Sequence, residues 1–322
     1  KKSNNELEIS LDQIKDLKIL IIGETIIDQY IFGEVLGKSG KEPHLVLKEG
    51  KKENYLGGAA AIANHLSTFC KEINFLTFAG KEKDSLNFIK KSLKKNIKVK
   101  FFNKKNSPTI VKKRFIDEIT QNKLLGVYSL NDEKFKKNSE LKFINCIRKY
   151  ASSCDLILVS DYGHGFISDK AAKILSSTNK FFSLNAQVNA SNRGYHSLRK
   201  YRNIDNLIIN ENELRHEMRD KISDIEKMSI KLIKDLKINK LTVTRGNNGA
   251  ILIEKNGKSI YSPAFANKVV DKVGAGDAML VIISLCMKIK MPSDLALFLG
   301  SLAGATAVEN IGNSKFINKN EL

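Results

Sequence analysis

Short, unbroken apolar runs separated by longer stretches of helical period constrain this chain more than any other feature. The first run is Lys18-Ile-Leu-Ile-Ile-Gly23, aliphatic throughout and stopped by glycine. Runs of the same kind recur at 74–79, 155–160, 181–184, 206–209 and 240–244. A strand without polar alternation is buried on both faces, the condition of a strand inside a parallel sheet. Between the runs, residues 58–69, 84–93, 133–150, 169–175, 222–236 and 278–288 read as helices. This alternation predicts an α/β fold with a doubly wound, mostly parallel central sheet and helices on both faces. Ligands of such sheets bind beyond the carboxyl ends of the strands.

Two segments, about 31–56 and 109–130, break the alternation with glycines and mixed β-forming residues. They read as short strands projecting from the main sheet, a small β-strand lid. There is no internal repeat and no Pro- or Gly/Ser-rich linker, so residues 1–322 read as a single domain. The chain begins with Lys1 rather than Met, which is compatible with a fragment of a longer fused chain.

Charge raises a nucleic-acid reading and then weakens it. The 54 Lys+Arg against 35 Asp+Glu leave a formal net charge of +19. Only eight of those cations are arginine, the residue suited to base readout and bidentate phosphate recognition. The lysine surplus reads as solvated surface, and nucleic acid is not the expected partner. The longest apolar run, 278–287, is too short to span a bilayer. Cys70, Cys146, Cys154 and Cys286 lie far apart with no C-x-x-C pair, as buried thiols of a reducing, cytoplasmic compartment do.

The chemistry concentrates in Asp271-Lys-Val-Gly-Ala-Gly-Asp277, followed by an apolar helix. Gly274, Ala275 and Gly276 before a helix let backbone N–H groups face outward as an anion hole, reinforced by the helix dipole. Asp277 stands at the mouth of that hole, where a carboxylate can accept a proton from a hydroxyl attacking a phosphoryl group. An N-terminal helix cap is the plain alternative. Asn210-Glu-Asn-Glu213 follows one apolar run, and Glu213 there can hold Mg²⁺ through water. Thr244-Arg245-Gly246, with Gly249 nearby, closes the next run; Asp28 ends the first; Gly57-Gly58 opens a helix. Gly33-Glu-Val-Leu-Gly-Lys-Ser39 imitates a P-loop but has three residues between its glycines where the motif needs four. Gly-Ala-Gly at 274–276 lacks the third glycine of a dinucleotide fingerprint.

Taken together, these elements resemble the ribokinase-like, or PfkB, family of carbohydrate kinases, over essentially residues 18–316. The resemblance implies a ribokinase-like fold and ATP-dependent phosphorylation of a sugar or sugar-phosphate hydroxyl. By it, Asp277 is the catalytic base beside the Gly274–Gly276 anion hole. Asn210, Glu213, Thr244, Arg245, Gly246 and Gly249 serve the nucleotide and its Mg²⁺. Asp28, Gly57 and Gly58 contact the sugar, with Asn64, Arg114, Asp161 and Asn185 as further acceptor contacts. A monovalent cation, K⁺, beside Asp271 and a homodimer formed through the lid are implied by resemblance alone. Ser160-Asp-Tyr-Gly-His-Gly165 and Pro108-Thr109…Arg114…Gln121 are similar to the heptose-phosphate kinase branch, which is often fused to a nucleotidyltransferase domain.

Several positions depart from the family pattern. Ala61 stands where the family has a sugar-contacting Asn, with Asn64 further along the same helix. His164 replaces a Lys of the heptose branch, and Asn185-Ala186-Gln187 replaces its Asp-Pro-Lys. Asp271-Lys272-Val273 replaces the usual Asp-Thr-Thr. Two missing lysines in a lysine-rich chain suggest an acceptor other than heptose phosphate. The same departures keep open a catalytically silent, kinase-like domain that binds sugar or nucleotide as a sensor or partner module.

Overall fold

The structure is a computed structural model and describes residues 12–189 and 191–319. Its frame is a sheet whose strands β1–β12 comprise β1 (Lys18–Lys38), β2 (Leu45–Gly58), β3 (Glu72–Phe78), β4 (Ile97–Phe102), β5 (Ile110–Asp117), β6 (Lys123–Ser129), β7 (Leu156–Asp161), β8 (Phe181–Ala186), β9 (Ile204–Asn210), β10 (Ile238–Thr244), β11 (Ala250–Glu254) and β12 (Ser259–Ser262). The main path runs β12-β11-β10-β9-β8-β7-β1-β3-β4, parallel from β10 to β4 and antiparallel at β10-β11-β12.

Strand parity explains how one sheet organises two cores. On β1, Ile19 and Ile21 face one side, while Leu20 and Ile22 face the other. The first side carries helices α1 (Ala59–Ser67) and α2 (Lys83–Ser92), and the second α3 (Lys137–Ser153) and α4 (Asp169–Ser176). Beyond β9, α5 (Glu211–Met218) and α6 (Ile225–Leu236) join the second side, and α7 (Ala275–Lys288) and α8 (Ser293–Val308) the first. Leu156 and Leu158 against Ile157 and Val159 repeat the pattern on β7. Both faces of the central strands are therefore covered by apolar side chains, the helix-covered parallel sheet expected from the unbroken runs.

The first strand does not stop at Gly23. Residues 18–24 pair with β3, and from Thr25 onward the same strand leaves the main sheet to pair with β2 and β5. With β6 paired to β5, this extension forms the lid. The lid sheet thus starts earlier than residue 31, because Thr25, Ile26 and Asp28 are already paired to Gly58, Gly57 and Tyr55. Elements β4, β11, β12, α5 and α8 were not evident in the sequence. Helix α8, Ser-Asp-Leu-Ala-Leu-Phe-Leu-Gly-Ser-Leu-Ala-Gly-Ala-Thr-Ala-Val, has too few polar residues to display a helical period.

Where β1 crosses from one sheet to the other it passes very close to its neighbours. A Cβ on Gly23 would lie 2.3 Å from the Ser160 carbonyl oxygen and 2.8 Å from the Ala59 Cβ. Neither backbone nor helix can give way cheaply there. Gly23→Ala is expected to destabilise the fold by roughly 1–3 kcal/mol, as overpacked positions do. In urea unfolding the midpoint falls with the slope unchanged, whereas Gly40→Ala, with nothing within 4 Å of the added carbon, leaves it in place. Equal midpoints for the two variants would contradict the close approach.

Candidate active site

A cavity of about 970 Å³ opens where β7, β8, β9 and β10 end. Tyr162, Gln187, Asn210 and Thr244, each at or just past a strand's carboxyl end, line its floor. Asp28, Lys112 and Arg114 face it from the lid, and residues 272–277 from the loop before α7. Arg245–Ala250 and Pro263–Ala266 form the far wall.

The glycine loop folds as its composition requires. Gly274 caps α7 at φ 90°, a left-handed conformation costly for other residues, and an added Cβ would meet Asn313 Oδ1 at 2.2 Å. The helix begins at Ala275, so the N–H groups of 275–277 belong to a first turn that has no intrahelical acceptors. Gly276 has open space where a Cβ would stand, which leaves these donors accessible to an anion. Asp277 is in this turn without capping it, and only 7 % of it is exposed.

Asp277 is held and tuned by its neighbours. The Tyr162 hydroxyl donates to its Oδ1 at 3.2 Å. Burial pushes the Asp277 carboxyl up to about 7; the Asp28 charge adds to that, while the Tyr162 hydrogen bond and the Lys112 charge oppose it. Tyr162 is itself placed by Glu24, whose carboxylate accepts from the Tyr162 N–H at 3.0 Å and the His164 N–H at 3.1 Å. Glu24 lies wholly buried, and burial followed by the Asp161 charge raises its carboxyl to about 7.

On the lid side, Asp28 Oδ1 accepts from Arg114 Nη1 at 2.5 Å, and the guanidinium lies 5.4 Å from the Tyr30 ring centre. Gly57 makes room for this carboxylate: its Cβ would fall 2.1 Å from Asp28 Oδ2. Gly58, at φ 60°, passes the Glu24 carbonyl, which a Cβ would approach to 2.5 Å. Lys112 is opposite Asp28 in the β1–β5 register and opposite Tyr128 in the β5–β6 register. Its ammonium sits between the Tyr128 and Tyr162 rings, 5.6 and 5.5 Å from their centres. Burial lowers its pKa, with Asp28 and Asp277 acting against that shift.

On the opposite wall, Gly246 and Gly249 take left-handed conformations in the turn after β10, and Thr244 pairs with Ala250 across it. A Cβ on Gly249 would meet the Ser262 carbonyl at 2.0 Å. Arg245 lines the cavity and pairs with Glu211 at 3.3 Å.

Several expected residues have other work. Asn64 is buried in α1, donating to the Ser92 carbonyl at 2.9 Å and accepting from the Lys94 N–H at 3.1 Å, so it ties α1 to the end of α2 and is no acceptor contact. Asp161 is 1 % exposed and engaged by Lys200 at 2.5 Å, the Tyr201 hydroxyl at 2.7 Å and the Gly163 N–H at 3.0 Å. Burial works to raise its pKa, and the charges of Lys200 and His196 outweigh it and hold the group ionised behind the cavity wall. Asn185 donates to the Ile208 carbonyl at 2.8 Å, bracing β8 against β9. His164 is buried against Asp132 at 2.7 Å, and the Lys104 ammonium donates to its carbonyl at 2.7 Å. His164 does not line the cavity, whereas Gln187, the position of the other missing lysine, does.

The metal expectations change as well. Asn210 and Glu213 form a capping box on α5: Glu213 N–H to Asn210 Oδ1 at 2.9 Å and Asn210 N–H to Glu213 Oε2 at 2.8 Å. Glu213 Oε1 accepts from the Val188 N–H at 3.2 Å, and burial raises this carboxyl to about 7. Both oxygens brace backbone donors and Glu213 is not among the residues that line the cavity, so the structure does not present it to a Mg²⁺ ion there. Among the described residues no group of three or more His, Cys, Asp or Glu is placed to hold a metal ion. Beside Asp271 the cation is the chain's own Lys123 ammonium, 2.5 Å from Oδ1, so the expected K⁺ has no vacant position there.

Lys112 and Lys123 were not singled out in the sequence, Tyr162 appeared only inside the 160–165 motif, and Gln187 only as the position of a missing lysine. Strand parity was the available signal for the first, since Lys112 shares a face with Arg114 two residues on.

The fold and cavity can be set beside known proteins. A ribokinase from Thermotoga maritima superposes with a TM-score of 0.71 at 20 % identity, covering 95 % of this chain and 97 % of that one. Phosphofructokinase-2 from Escherichia coli, in a complex with potassium, gives 0.75 at 15 % identity, covering 95 % and 96 %. In sequence, bifunctional protein HldE of Koribacter versatilis is 25 % identical over 303 residues, 93 % of this chain and 61 % of that protein. HldE of Histophilus somni is 25 % identical over 304 residues, 94 % of this chain and 62 % of that protein. The chain thus spans less than two thirds of the length of these curated relatives. The sequence pattern of the pfkB family carbohydrate kinases matches residues 16–320, from before β1 through the glycine loop and α8, and this chain belongs to that family.

Proposed function

We propose that this carbohydrate kinase transfers the γ-phosphoryl group of ATP to a hydroxyl of a sugar phosphate, with a heptose-phosphate-like acceptor favoured. The observation that carries the reading is Asp277, buried in the first turn of α7 and held by Tyr162 beside exposed backbone donors. With Tyr162 on Oδ1, the other carboxylate oxygen takes the proton from the acceptor hydroxyl as that oxygen attacks the phosphorus in line. The N–H groups of 275–277 meet charge on the transferring group, and electrostatic stabilisation of this kind dominates phosphoryl transfer. Thr244, Arg245, Gly246 and Gly249 lie where the nucleotide binds, and Asn210 at the strand end between them and Asp277.

On the acceptor side, Asp28 takes hydrogen bonds from sugar hydroxyls, and Arg114 and Lys112 supply positive charge for an anionic substituent. The HldE relatives support the sugar-phosphate class. Closure of the lid excludes water, so that ATP is not hydrolysed without acceptor. Mg²⁺ is expected to travel with the nucleotide, and no step here uses a protein-held ion. Its scattered free thiols favour action in the cytoplasm, and the resemblance to the heptose-phosphate kinase branch favours a nucleotidyltransferase domain as its partner in a longer chain.

Exposed Leu36, Leu45, Leu125 and Val127 make the outer lid apolar, which suits pairing with a second copy. Leu125→Glu is expected to shift sedimentation from dimer to monomer while the helix content stays constant. A wild-type protein that sediments as a monomer at all concentrations would remove the dimer.

Asp277→Asn is expected to keep fold and ATP binding while lowering turnover roughly 10²–10⁴-fold, the share of general-base catalysis. Release of ADP in the presence of sugar phosphates and ATP measures this, and unchanged turnover would exclude Asp277 as the base. The same screen separates a kinase from a binding-only module, which shows thermal shifts without ADP.

The pH profile carries the sign of the tuning. Asp277 must be ionised to accept a proton, and its carboxyl lies at about 7 in the free enzyme. The ratio kcat/KM is therefore expected to fall roughly tenfold per unit below about pH 7. Lys112→Met removes a charge that holds the carboxyl down, so this limb moves to higher pH. A limb that stays fixed or moves down would separate Lys112 from Asp277.

A further inference from the structure

The carboxylate of Asp271 begins the loop that ends at Asp277, and its surroundings are unusual for a group beside a phosphate site. Only 1 % of its side chain is exposed. Oδ2 accepts from the Tyr30 hydroxyl at 2.5 Å and from the Gly312 N–H at 3.2 Å. Oδ1 accepts from the Lys123 ammonium at 2.5 Å and from the Val273 N–H at 3.2 Å. An ionised carboxylate offers about four lone-pair positions. Four donors therefore saturate it, and one of them already brings a full positive charge.

Burial alone would raise the pKa of Asp271, but Lys123 and Tyr30 outweigh it and hold the carboxyl below its usual value. Three of the four donors come from separate parts of the chain. Lys123 opens β6 on the lid hairpin, Tyr30 lies on the lid half of β1, and Gly312 follows α8. Val273 is the residue before Gly274, so the same carboxylate fixes the approach to the left-handed turn that presents the anion-hole N–H groups.

An exchangeable monovalent cation at Asp271 does not fit these residues. It would stand next to the Lys123 ammonium and would face N–H and O–H donors where it needs oxygen acceptors. We propose that Lys123 is a tethered cation that does at Asp271 what a bound K⁺ ion would otherwise do. It neutralises a buried carboxylate and holds the 271–274 segment in the shape that exposes the first turn of α7. Because Lys123 belongs to the lid, the ion pair also makes the shape of the anion loop depend on the position of the lid. Lys123 is thus a positioning residue that acts through Asp271, and the wild-type enzyme needs no added monovalent cation.

The consequence for rate rests on the phosphoryl-transfer reading; the consequence for cation binding does not. The experiment compares wild type with Lys123→Met in potassium chloride, ammonium chloride and choline chloride at equal ionic strength. In choline, Lys123→Met is expected to turn over roughly ten- to a hundredfold more slowly, as misplaced catalytic geometry does. K⁺ or NH₄⁺ restores much of that loss in the variant and leaves the wild type unchanged.

Thermal unfolding without substrates reads the same site when no acceptor is turned over. K⁺ is expected to raise the midpoint of Lys123→Met by about 2 °C or more relative to choline, through preferential binding to the folded state. The wild-type midpoint is expected not to respond. A wild type that K⁺ activates or stabilises as strongly as the variant would overturn the proposal. So would a variant indifferent to K⁺ in both measurements, because Lys123 would then be a structural residue only. Lys123→Arg, which keeps the charge, provides the conservative comparison and is expected to stay insensitive to K⁺.

Discussion

Carboxylates cannot be withdrawn from water without a compensating charge or set of hydrogen bonds; uncompensated, each costs several kcal/mol. The walls around this cavity nevertheless bury Asp28, Asp271 and Asp277 within one continuous region. The compensation comes from the lid. Arg114 on β5 meets Asp28, Lys123 on β6 meets Asp271, and the Lys112 charge on β5 acts on Asp277. Three acids, Asp28 on the lid half of β1 and Asp271 and Asp277 on the α7 loop, are thus matched by three cations from one hairpin. Moving that hairpin away would leave all three less well compensated at once. The lid is therefore part of the electrostatic structure of the site as well as a cover for it.

That arrangement needs the hairpin to be placed accurately, and β1 provides the placement. A single strand of 21 residues runs from the centre of the main sheet into the lid, so the two sheets share covalent structure and register. Its residues serve successive purposes along its length. Ile19–Ile22 build the two cores, Glu24 holds the backbone of Tyr162, Asp28 faces the cavity, and Tyr30 reaches Asp271. The glycines at 23, 57 and 58 lie where this strand meets another backbone or a carboxylate too closely for any side chain.

Legibility in the sequence follows from how local each cause is. The parallel sheet was legible because burial on both faces leaves an unbroken apolar run, and the glycine loop because its chemistry is written in seven consecutive residues. The lid was legible only as an interruption, and its start was placed late because β1 passes from the main sheet into the lid as one continuous strand, with no turn to mark the crossing. Helix α8 was hidden by lacking a polar face. Asn64 and Asp161 have the residue types of sugar contacts, but what occupies them lies 28 and 39 residues away in sequence, at Ser92 and Lys200. A side chain's partner across such a distance is decided by packing, which no local spacing encodes. Lys123 and Asp271 are the extreme case, 148 residues apart.

The same reasoning clarifies what the surplus of lysine does. A formal charge of +19 spread over a surface is screened within about 10 Å in ordinary salt, so it steers anions toward the protein but cannot select among them. Selection requires cations that are fixed, partly dehydrated and facing the cavity, and Lys112 and Arg114 meet those conditions. Each is already coupled to an acid of the site, which limits what it can offer an acceptor. An anionic substituent must compete with Asp28 for Arg114, and it also alters the charge felt by Asp277. A neutral sugar presents hydroxyls to Asp28 without disturbing either relation. Discrimination between a sugar and its phosphate therefore depends on whether the energy of reaching Arg114 and Lys112 exceeds the cost of weakening their hold on Asp28 and Asp277. The absence of a lysine at Gln187 sharpens that competition, because it leaves the cavity without a further cation at the end of β8 to share the load.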